Sequence, residues 1–256
     1  MVNRNGQGEH WLADLRTAGA FLTILPVGAR EDFRPGGLAA AAWCFPLIGM
    51  LAGAAGGLVY ALAIWLGCGA WLAATFCVVS LVLLTGGLHE DGLGDFADAM
   101  GGPTRERRLA IMHDSQAGNF AVIALILLFA ARIGVLAGLA APDRVGLALL
   151  VAAAASRTAM VMVMRLVPAA RADGLSAGAG RPSARAVIAA ILATALIAFA
   201  SLGFMAGLLC LLAAAALAAL LATLAHRRLG GQTGDVLGAV QLIAELGCLL
   251  TAALVF

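Results

Sequence analysis

The chain has 256 residues, 62% of them hydrophobic and only 12% charged, with a formal net charge of +2. Soluble domains carry about a quarter charged residues, so this composition excludes a water-soluble enzyme and a disordered chain, and it asks for no nucleic-acid partner. It predicts an all-α integral membrane protein in contact with lipid. We read it as one transmembrane domain over 1–256, with 1–37 an amino-terminal interfacial segment and 38–256 a helical bundle.

Near the amino terminus, Gly19 to Val27 is a short apolar run followed by Gly28-Ala29, which superficially suits a signal peptide. Glu9 and Asp14 precede it, however, where such a peptide has a compact basic region. His10 to Leu25 reads instead as a retained interfacial helix with Trp11 and Phe21 toward lipid.

A bilayer core needs about 20 apolar residues per helix. Such stretches recur at roughly 38–66, 70–88, 117–140, 145–166, 185–201, 203–225 and 236–256, giving about seven transmembrane helices. The first is long and Gly-rich, so a tilt or break near Gly53–Gly57 is expected. Gly203 separates the fifth and sixth as a tight hairpin.

All sixteen basic residues are Arg. They crowd the amino-terminal segment and the loops 89–116, 165–184 and 226–235, whereas the turns near 67–69, 141–144 and 201–203 carry only Arg144. Positive charge marks the cytoplasmic face. The N-terminus is therefore expected in the cytoplasm, and every long polar loop on that side. The five cysteines lie in or beside apolar runs without a CxxC pair and read as reduced, buried thiols.

The sharpest feature is Thr85-Gly-Gly-Leu-His-Glu-Asp-Gly-Leu-Gly-Asp-Phe-Ala-Asp98. Asp91, Asp95 and Asp98 stand at i, i+4 and i+7, on one face of a helix. Three like charges repel unless a cation sits among them, and hard oxygen ligands suit Mg²⁺ or Mn²⁺; the competing reading is a solvated acidic turn. The flanking Gly86, Gly87, Gly92 and Gly94 suit close backbone approach to a ligand.

Next come Arg105-Glu-Arg-Arg108 and Met112-His-Asp-Ser-Gln-Ala-Gly118. Arg105 and Arg108 suit phosphate pairing or simple cytoplasmic anchoring. Asp114 suits a further metal ligand or a cap of the following helix. Ser156-Arg157 lies well inside a span, and a buried Arg by default faces a cavity or a partner; Arg132 is similar but nearer a helix end. Gly230-Gly-Gln-Thr-Gly-Asp235 opens the last span as a phosphate or nucleotide cradle. Glu245 and Gln241, deeper in that span, read as ion-pair or hydrogen-bond partners within the bundle. Acids for metal, Arg for phosphate and a Gly-rich segment together suggest phosphoryl transfer, in which a protein chiefly positions groups and neutralises charge.

The chain resembles the cobalamin synthase family, the adenosylcobinamide-GDP ribazoletransferases. The resemblance runs through Phe21-Leu-Thr-Ile-Leu-Pro-Val27, Phe45-Pro-Leu-Ile-Gly49, Thr85-Gly-Gly-Leu-His-Glu-Asp-Gly92 with Asp95 and Asp98, Met112-His-Asp-Ser115 with Gly118, Ser156-Arg157, and Gly230-Gly-Gln-Thr-Gly-Asp235 with Leu237-Gly-Ala239. Ala99 and His113 depart from the usual Gly and Arg. The resemblance implies a Mg²⁺-dependent enzyme, multi-pass in the bacterial inner membrane with its active site on the cytoplasmic side. Its substrates would be adenosylcobinamide-GDP and α-ribazole or its 5′-phosphate, its products adenosylcobalamin or its 5′-phosphate and GMP; a homo-oligomer is compatible with it. Carried over by position, Glu90, Asp91, Asp95, Asp98 and Asp114 are metal ligands, and His89, Asp91 and Asp95 are catalytic. Arg105, Arg108, Ser115, Arg157, Gly231, Gln232, Thr233 and Asp235 hold substrate or phosphate. A CDP-alcohol phosphotransferase fits less well, since Asp95 and Phe96 stand where that family has Ala-Arg. A transporter would gather its ionisable groups near the midplane, not at one surface.

Overall fold

The computed structural model describes residues 5–27, 36–114, 116–171, 174 and 178–256. The regular elements are α1 (Asn5–Leu22), α2 (Gly37–Ala41), a 3₁₀ turn (Ala42–Cys44), α3 (Phe45–Trp65), α4 (Ala70–Thr85), α5 (Leu88–Met100) and α6 (Arg105–Ile111). They continue with α7 (Asn119–Leu139), α8 (Pro142–Leu166), α9 (Ala184–Leu202), α10 (Phe204–Leu229) and α11 (Gly234–Val255).

Among the described residues six helices are long and apolar enough to cross a membrane: the continuous stretch Gly37–Trp65 and α7 to α11. The 16 residues of α4 rise about 24 Å, and with the bent pair they begin counted as one span the total reaches seven. The chain then bends by 90° into α5, which leaves the span and runs along the rim. The expected second span therefore ends at Thr85 rather than near residue 88. The upper figure of seven is the count read from the sequence.

Most of α8 and α11 is buried, while α7 and α9 turn mainly outward. The outward faces carry large apolar side chains such as Ile126, Leu127, Leu192, Leu196, Leu212 and Leu220, a surface that only hydrocarbon covers without penalty. Trp65 and Trp71 flank the α3–α4 turn and are exposed, as interfacial aromatics are.

The expected break at Gly53–Gly57 does not occur, because α3 is continuous there. Its glycines form a packing seam instead. A Cβ on Gly49 would lie 2.3 Å from the Ala153 carbonyl oxygen, and one on Gly53 would lie 2.4 Å from that of Leu149. Small residues let membrane helices approach closely, and the Ala-rich stretch Ala152–Ala155 of α8 is buried beside α3. Thr158 and Thr194 hydroxyls meet at 2.6 Å between α8 and α9. All five cysteines are free, four of them buried.

At the amino-terminal end, Trp43 Nε1 donates to Asp14 Oδ2 at 2.8 Å, fastening α1 to the start of the bundle. Trp11 is exposed as expected. Phe21 is not lipid-facing: its ring stacks on that of Phe45 at 6.0 Å.

Candidate active site

The turn that makes the site is two glycines long. Gly86 and Gly87 have φ of +65° and +70°, a left-handed backbone that only glycine adopts routinely. Their N–H groups close onto Leu83 and Val82 carbonyls, ending α4 and aiming α5 across the N-terminal end of α11.

Two further glycines allow that crossing. A Cβ on Gly92 would lie 2.8 Å from the Asp235 carbonyl oxygen, and one on Gly238 would lie 3.2 Å from the His89 Cα. Gly92 thus permits helix–helix contact rather than approach to a ligand, and Gly94 abuts Ala121 of α7. The crossing brings Asp235 to the acidic stripe. Asp91 is exposed, and Asp95 and Asp98 are half-buried. Partial burial, then the neighbouring charges of Asp91, Asp235 and Asp98, push the Asp95 carboxyl up to about 7.

The other predicted residues divide sharply. Asp98 accepts from the N–H groups of Gly118 at 2.6 Å and Ala121 at 3.0 Å, capping α7 from twenty residues upstream. Asp114, expected as a metal ligand or as a cap of that helix, does not cap it: its Oδ1 accepts from the Gln116 N–H at 3.1 Å, and Asp98 does the capping. Ser115 lies outside the described residues. Glu90 is buried and turns inward, 3.3 Å from Arg132 NH1, away from the exposed Asp91.

The arginines expected at phosphate are occupied with the protein's own backbone. Arg105 donates from Nε to the Leu229 carbonyl at 2.7 Å and from NH2 to that of Ala170 at 2.8 Å. Arg108 is buried and reaches the Arg228 carbonyl at 3.4 Å and the Pro103 carbonyl at 3.5 Å. Both staple loops together.

The expected open cradle at 230–235 is likewise closed. A Cβ on Gly231 would lie 2.3 Å from the Pro168 carbonyl oxygen. The Gln232 N–H donates to that carbonyl at 2.8 Å, and the Gln232 carbonyl accepts from Ala170 N at 2.9 Å. Thr233 Oγ1 caps α11 by accepting from Val236 N at 3.2 Å and donates to Asp235 Oδ2 at 3.2 Å.

Arg157 is not a phosphate ligand here. It is 4% exposed and donates to Glu245 Oε2 at 2.7 Å and to Ser156 Oγ at 3.1 Å. Glu245 Oε1 accepts from Arg132 NH2 at 2.7 Å, and its Oε2 also from Gln241 Nε2 at 2.6 Å. Glu90, Arg132, Glu245 and Arg157 therefore form one neutral buried chain beneath the acidic rim. The bundle role expected of Glu245 and Gln241 holds.

One residue of the site, Arg171, is not distinguished by the sequence. Arg171 approaches Asp235 Oδ2 at 3.9 Å and also contacts the His113 ring. Arg171 was counted only as part of a basic loop, and nothing local distinguishes it; the fold selects it.

Two cavities meet at Asp91. One, of about 640 Å³, is bordered by Thr23, Thr85, Gly86, Gly87 and Glu90 as well as Asp91. The other, of about 130 Å³, includes His89, Asp91 and Asp235 among apolar neighbours. His89 is 1% exposed, and neither ring nitrogen has a partner among the described residues. No three His, Cys, Asp or Glu side chains among the described residues converge closely enough to form a metal cage. The donor set nonetheless fits a hard cation, since Asp91, Asp95 and Asp235 share one electrostatic field and Mg²⁺ typically takes one or two carboxylates and completes its shell with substrate phosphates and water.

A helical membrane bundle with a carboxylate cluster between two cavities at its rim defines a class: multi-pass membrane enzymes of phosphoryl transfer. The cobalamin-5-phosphate synthase family model matches residues 14–253, and the chain belongs to that family. It is 46% identical to the adenosylcobinamide-GDP ribazoletransferase of Bradyrhizobium diazoefficiens, over 94% of each chain. It is 43% identical to that of Azorhizobium caulinodans, over 93% of this chain and 94% of the relative. It is 41% identical to that of Citrobacter koseri, over 90% and 95%. No solved structure matches the chain.

Proposed function

We propose that this chain joins adenosylcobinamide-GDP to α-ribazole or its 5′-phosphate, releasing GMP, on the cytoplasmic face of a bacterial inner membrane. The observation that carries the reading is the position of Asp91, shared by both cavities and flanked by Asp95 and Asp235. A transferase needs two substrates meeting at one charged point, and Asp91 between the two cavities provides one. The transporter alternative loses its basis, because the deep ionisable groups neutralise one another.

In the reaction the acceptor's ribose hydroxyl oxygen bonds to the phosphorus that carries cobinamide, and the bond from that phosphorus to the GMP oxygen breaks. GMP takes the electron pair. Asp91 and Asp95, with Asp235 beside them, would hold Mg²⁺, which when bound supplies charge neutralisation at the diphosphate. The hydroxyl proton has two acceptors in the site, His89 and Asp95. Arg171, next to Asp235, is placed to meet negative charge that builds on the phosphates.

The test uses the full chain reconstituted in liposomes. GMP release from adenosylcobinamide-GDP is expected only with both α-ribazole and Mg²⁺. Asp91→Asn and Asp95→Asn are expected to lower kcat at least a thousandfold while the protein still folds, since Asp91 is exposed and Asp95 half-buried. Near-normal turnover in either variant removes the carboxylates from the mechanism.

A further inference from the structure

The two cavities flanking Asp91 differ in both size and chemistry. The larger, about 640 Å³, lies within the range of roughly 300–1,000 Å³ typical of ligand pockets. Thr23, Thr85, Glu90 and Asp91 are among its lining residues, and it shares Phe21 and Leu88 with the smaller cavity. The smaller, about 130 Å³, is lined by Phe21, Leu88, Met160, Met164 and Leu237, with His89 among them. An apolar cavity of about 150 Å³ accepts a benzene ring. The smaller cavity therefore holds one ring of a fused aromatic base, with the rest of the base at its mouth, and has no room for a nucleoside diphosphate or a macrocycle.

We infer that the smaller cavity seats the aromatic base of the acceptor nucleoside, with a His89 ring N–H donating to the base's free ring nitrogen, while the larger cavity takes the diphosphate-linked donor. The inference rests on the function proposed above and assigns the two substrates to opposite sides of Asp91. Three observations support it. Thioethers and a phenyl ring are favourable neighbours for an aromatic system, and Met160, Met164 and Phe21 supply them. Both His89 ring nitrogens are buried without a protein partner among the described residues, a cost the fold sustains only where something else bonds them. A benzimidazole joined to ribose through one nitrogen keeps the other as a bare acceptor, the complement of an imidazole N–H. The ribose would then emerge toward Asp91 and Asp235, which share this cavity's lining, and its hydroxyl faces the donor.

Met164→Trp should fill the cavity. In liposomes, with both substrates titrated, the KM for α-ribazole is expected to rise at least tenfold, within the roughly 10- to 200-fold that apolar-pocket mismatches produce. The KM for adenosylcobinamide-GDP should stay within twofold. A rise in the donor KM alone reverses the assignment and overturns the inference, as does no change in either. Should Met164→Trp not fold, Met164→Ala tests the same point by enlargement. It is expected to use an α-nucleoside with a three-ring base better than wild type does relative to α-ribazole, and no such gain overturns the inference. Failure of the wild type to release GMP from the natural pair would instead refute the proposed function.

Discussion

The buried charge chain makes the most demanding prediction. Glu245→Gln preserves shape but removes the one carboxylate that both Arg132 and Arg157 address, each at 2.7 Å. The network then falls from two positive and two negative groups to two positive and one negative. The new amide oxygen can accept from one guanidinium, while its NH₂ faces the other, donor against donor. Removing one partner of a buried ion pair costs about 3–5 kcal/mol. At about 2–4 °C of melting temperature per kcal/mol for a chain this size, the variant should melt roughly 6–20 °C below wild type in detergent, read by size-exclusion chromatography after heating. Arg157→Met added to Glu245→Gln leaves Arg132 with Glu90 and should recover a large part of the loss. A single variant melting within 2 °C of wild type, or a double variant as unstable as the sum of its parts, would refute the electrostatic account. By the same reasoning Arg157→Lys lowers stability without changing the KM for the GDP-linked substrate.

Asp95, raised to about 7 from 3.8, takes up a proton on folding, so in chelator the folded state is penalised increasingly as pH rises from about 4 through 7. Asp95→Asn should therefore stabilise the chelated protein at pH 8 and leave it unchanged at pH 3.5; equal effects at both pH values contradict this. Gly53→Leu drives side-chain atoms into the Leu149 carbonyl and should abolish recovery of folded protein, whereas Gly134→Leu, with nothing within 4 Å, should not; equal yields of the two variants count against the α3–α8 seam. A membrane-impermeant thiol reagent should reach Cys68, half-buried in the α3–α4 turn, from outside, and Arg227→Cys only from the cytoplasm; labelling of both from one side overturns the topology.

The spans were legible because run length alone reports what a bilayer demands, and Gly86-Gly87 announced a sharp bend. The partners of the buried charges were not legible. Arg132, Arg157 and Glu245 are separated by up to 113 residues, so nothing in the local pattern near Arg157 says that a carboxylate waits for it. An intramembrane Arg reads as functional by default, and here that default misled. The same ambiguity attends glycine. Absence of a Cβ at Gly92 and Gly231 serves close backbone contact, with Asp235 and Pro168 respectively, and a sequence cannot distinguish that from room left for a ligand. Arg105 and Arg108 show it again, since a guanidinium fork suits two carbonyls as well as a phosphate.

These misreadings share a cause that also explains the site. Helix α5 carries one acidic face, but the fold holds it at three points: Glu90 to Arg132, Gly92 against the Asp235 backbone, and Asp98 onto the N-terminus of α7. Each contact consumes a residue that the sequence presents as equivalent to its neighbours. What is left facing outward is Asp91 and Asp95, one turn apart, with Asp235 delivered beside them by the crossing. The charges of Asp91 and Asp235 bear on Asp95, and the rigidity needed to hold these carboxylates in one field comes from the contacts that removed Glu90 and Asp98 from the free set. The buried chain and the backbone staples are therefore the means by which a bundle of apolar helices keeps a small, strongly negative surface in place.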